Sequence, residues 1–152
     1  MTALFTVYVL RSSEVATMRP EYLDLAGGSI AFPTSKGGPL RVHGIPDCLR
    51  GILHPDHFPG FRSDTEMWSW WRDLEARAGV PRRENQGWRS VRRAVTRLLL
   101  LAGILVQDVN AWIGWAPREM VARYPLLPDE HLDRVIFERH PLLPIWAEAL
   151  GG

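Results

Sequence analysis

The chain opens on an almost unbroken apolar stretch, Ala3-Leu4-Phe5 and then Val7 to Leu10. Such a run fits a buried helix or a buried strand, and periodicity does not separate the two. Ser12 or Ser13 can cap a short helix that ends before Pro20, because the residue ahead of a proline is pushed out of the α region. Gly27-Gly28 marks a turn. Ser29 to Phe32 then reads as a strand and Leu40 to Ile45 as its partner, with Pro33 to Pro39 as a hairpin loop that presents Lys36. Asp47 caps a short helix to about Leu53, and His54 to Gly60, with Pro55 and Pro59, reads as a loop.

The second half is patterned for helices. Asp64 or Thr65 opens one that runs to about Ala78, closed by Gly79 and Pro81. Pro81 to Gly87 is a polar connector. The strongest helical pattern opens near Ser90, runs to Ala102 and is closed by Gly103. Val109, Trp112 and Ile113 recur at helical spacing in a helix over Val106 to Ile113 that Gly114 ends. Pro117 starts a further helix to about Tyr124, Asp129 caps one to about Arg139, and Pro141 to Leu150 forms a tail. Leu132, Val135, Ile136 and Leu143 make an apolar stripe there. The pattern predicts an α+β fold, mostly α-helical, with one small antiparallel sheet or hairpin near the N-terminus.

Composition narrows the class. The 152 residues suit one domain, hydrophobic residues are 46% and charged residues 23%, which excludes wholesale disorder. One cysteine, Cys48, excludes a disulfide framework and a cysteine-based zinc site. His54 and His57 have the look of a metal pair, but no third ligand stands at a recognisable spacing, so no metal is expected. No Walker loop, dinucleotide glycine pattern or nucleophile elbow is present. The apolar run Leu98 to Ala102 is too short to span a bilayer and no secretion signal is visible, so a cytoplasmic location without membrane association is expected. Charge is unevenly spread: Arg72 to Arg97 carries eight arginines against Asp73, Glu75 and Glu84, whereas five acids face Arg134 and Arg139 from Tyr124 onward. A basic middle with an acidic tail describes an anion-binding face beside a partner-docking tail. The basic residues are 17 arginines and a single lysine, Lys36.

The chemistry-bearing residues fall in a definite order. Val9-Leu-Arg-Ser-Ser-Glu14 is followed by Lys36 in the hairpin loop. Arg89 and Arg92 then stand at the head of the strong helix, Gly103 follows, then Gly114-Trp115, and Tyr124 stands nine residues after Trp115. This order resembles the catalytic domain of the tyrosine recombinase (phage-type integrase) family. That family carries Gly-Leu-Arg-x-x-Glu, a lysine between two strands, His-x-x-Arg opening a helix, Gly-His or Gly-Trp, and a nucleophilic tyrosine. The resemblance covers most of the chain. It implies Arg11, Lys36, Arg89, Arg92, Trp115 and Tyr124 as catalytic residues with Glu14 in support, and Arg82, Arg83 and Arg93 as DNA contacts. It implies double-stranded DNA as partner, self-association into a tetramer on DNA, a bacterial or phage-encoded nucleoid-associated setting, and no metal or cofactor.

The residue types suit that chemistry. An in-line attack on a phosphodiester spreads charge over non-bridging oxygens, which forked, permanently charged guanidinium groups can clamp. An indole N–H only donates, as a phosphate oxygen requires. Tyrosine attack would conserve the bond energy as a phosphotyrosyl link, and a lysine can protonate the leaving oxygen. Two departures stand out. Arg89 occupies the position of the family histidine, and an arginine cannot accept a proton. The chain also begins almost at the first arginine motif, so the expectation is a single catalytic domain over 1–152 lacking the family's N-terminal DNA-gripping domain, with tail helices at 129–150 able to dock in trans.

Overall fold

In the computed structural model, the structure describes residues 2–33, 40–58, 60–61, 63–84, 86–115 and 129–151. The apolar N-terminal run forms a helix, α1 (Thr2–Val7), with Ala3, Leu4, Phe5 and Val7 all buried. It is walled in by three later helices: α5 (Trp88–Leu101), α6 (Val106–Ile113) and α8 (Leu143–Ala149). Phe5 stacks on Trp88 of α5 with ring centroids 3.8 Å apart and planes 17° from parallel. Trp112 of α6 donates its indole N–H to the Val7 carbonyl at 2.9 Å, and Trp146 of α8 donates to the Thr6 hydroxyl at 3.0 Å. Only Thr2 and Thr6 stay half-exposed, and six mostly buried residues are too few for a helical period to show.

A three-stranded antiparallel sheet follows α2 (Ser12–Ala16): β1 (Leu23–Asp24), β2 (Ser29–Phe32) and β3 (Arg41–Gly44), in that spatial order. Ile30 pairs with His43 and Phe32 with Arg41. The inward positions of β2 are Ile30 and Phe32, as alternation predicts. Those of β3 are Arg41 and His43, whereas Val42 is half-exposed. The sheet thus carries two polar side chains into the core. The hairpin loop with Lys36 lies outside the described residues.

The expected helices are found with shifted ends. α3 (Asp47–Arg50) is shorter than the pattern suggests, and Pro46 rather than Asp47 stands at its cap; the Asp47 carboxylate instead accepts from Arg50 Nε at 3.0 Å. α4 (Asp64–Arg77) is capped by Ser63, whose hydroxyl accepts from the Glu66 amide at 3.2 Å. α5 begins at Trp88, ahead of the expected Ser90, after Gly87 at the cap. A Cβ on Gly87 would stand 2.4 Å from the outer edge of the Trp68 ring, so a larger residue here would have to push that exposed indole aside. Trp71 and Trp88 are buried, and Trp70 lies half-buried and nearly parallel to Trp88 (5.7 Å, 10°), so these three indoles serve packing, whereas Trp68 is exposed.

α6 matches its predicted span and ends in a left-handed Gly114 at φ +71°. α7 (Glu130–Arg139) is capped by Asp129, whose carboxylate accepts from the Leu132 amide at 3.0 Å. α7 packs on β3 and α8 on α3, burying Leu132, Ile136 and Leu143 against this chain's own core. The helix expected from Pro117 to Tyr124 lies outside the described residues. Among the described residues no helix is long and apolar enough to cross a membrane.

Candidate active site

The site grows from the C-terminal end of α6. A helix leaves its last carbonyls without intrahelical donors and carries a partial negative charge there. Three consecutive carbonyls at this end accept from three arginines of three different elements. Arg41 Nη1 donates to Trp112, Arg92 Nη2 donates to Ile113 at 2.8 Å, and Arg11 Nη2 approaches Gly114 at 3.4 Å. Arg92 Nη1 also donates to the carbonyl of Val9.

Val9 is the one described non-glycine residue with positive φ, at +54°. A β-branched side chain rarely adopts this conformation, and the resembled motif has glycine at this position. The unusual backbone aims the Val9 carbonyl at Arg92 and turns the chain so that Arg11 caps α2 from outside. Glu14, in the first turn of α2, folds back onto that cap. Its Oε2 accepts from the Arg11 amide at 2.8 Å and its Oε1 from Arg11 Nη1 at 2.7 Å. Glu14 is fully buried, and Arg41 Nη2 reaches its Oε2 at 3.2 Å.

Arg11 and Arg92 open onto one cleft of about 560 Å³. Its walls carry four arginines (Arg11, Arg89, Arg92 and Arg93), the indoles of Trp88 and Trp115, and hydroxyl side chains from α2 and α5, with no acid among the described lining residues. Trp115 is 53% exposed, so its ring is open to solvent, and the Arg92 guanidinium carbon lies 5.4 Å from its centroid. Desolvation, with the nearby charge of Arg11, pulls the Arg92 pKa down from 12.5 to about 10. Burial likewise lowers Arg41, with Glu14 opposing the shift. A cation held below its ordinary pKa is under-compensated, and a bound anion would relieve it.

The expected site residues therefore divide. Arg11, Arg89, Arg92, Arg93 and Trp115 line the one cleft, and Glu14 braces it from behind. The neighbours Arg92 and Arg93 both reach it, although Arg92 is tied to two carbonyls and Arg93 is exposed. Arg82 and Arg83 are exposed on the connector ahead of α5 and are not among the lining residues. Lys36 and Tyr124 lie outside the described residues. Arg41 was not singled out in the sequence. Its signal is faint: an arginine at an inward position of the strand that follows the lysine loop.

The sequence matches no protein-family model and no curated protein. Among solved structures, the chain is similar to the crystal structure of XerA recombinase, with a TM-score of 0.55, 18% sequence identity and 91% of this chain covered. The fold is similar to that of XerA recombinase. The match takes in 56% of the XerA chain, so this chain spans little more than half the length of that protein. At this identity the likeness is one of fold: mostly helical, with one small antiparallel sheet.

Proposed function

We propose that this chain breaks and rejoins DNA as a tyrosine-recombinase-type catalytic domain, serving site-specific recombination or integration. The observation that carries the reading is the convergence of Arg11, Arg92 and Trp115, 81 and 23 positions apart in sequence, on one arginine-lined cleft. In this reading Tyr124 loses its phenol proton to water and attacks the scissile phosphorus, forming a 3′-phosphotyrosyl bond and releasing the 5′ oxygen, which Lys36 protonates. Arg11, Arg92, Arg89 and the Trp115 N–H hold the non-bridging oxygens, and Glu14 orients Arg11. Arg82, Arg83 and Arg93 contact flanking DNA, and copies of the chain assemble as a tetramer on double-stranded DNA. Removing one transition-state donor of this kind typically costs about 2.7–4 kcal/mol.

One observation favours a second reading, a catalytically impaired DNA-binding remnant. Arg89 lines the cleft where the resembled family places a proton-accepting histidine, and guanidinium cannot take the tyrosine proton. A nicked suicide duplex separates the two. The first reading expects a covalent protein–DNA adduct under denaturing conditions that Tyr124→Phe abolishes; an adduct that persists in Tyr124→Phe refutes the assignment. Salt-sensitive DNA binding without any adduct selects the second.

A further inference from the structure

The corner formed by Arg11 and Glu14 is, taken alone, a closed pair. One carboxylate faces one guanidinium at 2.7 Å, and the same carboxylate also takes the Arg11 amide. A guanidinium neutralised in this way holds little attraction for an incoming anion, because the fully buried carboxylate beside it repels that anion. We propose that Arg41 is a positioning residue for the cleft: as the buried counter-ion of Glu14, it releases the charge of Arg11 to a phosphate group. The inference rests on the anion-binding reading of the cleft given above.

Three observations carry it. Arg41 occupies the other oxygen of the carboxylate, Nη2 to Oε2 at 3.2 Å, so the two arginines divide Glu14 between them. Two cations then share one anion, and of the two only Arg11 lines the cleft. Arg41 itself is buried, and its Nη1 is spent on the Trp112 carbonyl, so it acts without touching a bound anion. The backbone also makes room for it. A Cβ on Gly114 would stand 2.9 Å from Arg41 Nε, and the φ of +71° there excludes most side chains as well. The glycine ahead of Trp115 thus accommodates the counter-ion of Glu14 while turning Trp115 into the cleft.

The test is titration of the protein with inorganic phosphate at low ionic strength, followed by tryptophan fluorescence, since Trp115 lies in the cleft. Arg41→Gln is expected to weaken phosphate binding about tenfold. Arg41→Lys, which keeps the charge, is expected to stay within about threefold of wild type. Glu14→Gln combined with Arg41→Met removes anion and counter-ion together and is expected to recover most of the loss, which a merely structural role for Arg41 would not allow. It also leaves no buried charge unpaired and carries the test if Arg41→Gln does not fold. Unchanged affinity in Arg41→Gln, or a double variant as weak as or weaker than Arg41→Gln, overturns the inference and leaves the cleft reading standing; where Arg41→Gln does not fold, a double variant about tenfold weaker than wild type does so. Wild-type protein that binds no phosphate overturns both.

Discussion

His140 sets a prediction that can be worked through in numbers. It sits at the corner between α7 and α8 and is buried, with Nε2 at 3.2 Å from the Val7 carbonyl and Nδ1 accepting from the Leu142 amide at 3.2 Å. That pair of bonds fits the neutral ring with its proton on Nε2, because a protonated Nδ1 has no lone pair for Leu142. Burial is the main cause that pushes the pKa from 6.5 down to about 4. The unfolded chain therefore binds a proton at this residue between about pH 6.5 and pH 4 while the folded chain does not, so stability falls as pH falls through that window. The lowering from 6.5 to about 4 corresponds to about 3 kcal/mol, at 1.36 kcal/mol for each tenfold change in proton affinity, a large part of the 5–15 kcal/mol typical of a domain.

Urea unfolding of wild type and His140→Gln at several pH values from 7.5 to 4 isolates this contribution. The variant starts less stable at pH 7.5, since its amide reproduces the two bonds imperfectly. The gap between the two proteins is expected to shrink by about 3 kcal/mol on going to pH 4, because only the wild type carries the histidine penalty. His43, buried and also lowered, is common to both proteins and cancels in the comparison. A gap that stays constant with pH would refute the neutral-ring assignment.

Two further predictions concern the cleft. Val9 is buried at φ +54°, so Val9→Gly is expected to be at least as stable as Val9→Ala by denaturant midpoint, the reverse of the usual order, in which glycine costs about 0.5–1 kcal/mol more. Arg89→His would restore a proton acceptor at the mouth of the cleft. It is expected to raise the rate of adduct formation on a suicide duplex, with about 10²–10⁴-fold as the range open to general base catalysis, and an unchanged rate would show that Arg89 does not limit the chemistry.

Legibility in the sequence followed the physics of each segment. α6 and α7 could be read closely because each has one buried face and a definite end, Gly114 in one case and Asp129 in the other. α1 could not be assigned, since a six-residue helix with all but Thr2 and Thr6 buried is too short to display a period. α5 was found but started late: its cap is a glycine with no side-chain bond, packed against Trp68 of another helix, a contact that no local pattern encodes. Arg11, Arg92 and Trp115 could be named because they fall in short motifs at ordered spacings. Arg41 was missed because alternation expects apolar residues on the inner face of a strand, whereas β3 turns Arg41 and His43 inward to meet Glu14 and Asp133. Those partners lie 27 and 90 positions from them in sequence, beyond the reach of any window.

The ties that assemble the cleft span most of the chain. Arg92 reaches back 83 positions to Val9, Arg11 forward 103 to Gly114, and Arg41 forward 71 to Trp112. Each is a loop that must close before its bond forms, and such distant pairings come late and cooperatively in folding. No local fragment can therefore hold a half-built cleft. An anion that binds there stabilises the whole native state by linkage, so its protection of backbone amides against hydrogen exchange should reach the globally exchanging core of α1 and α6 as much as the cleft walls.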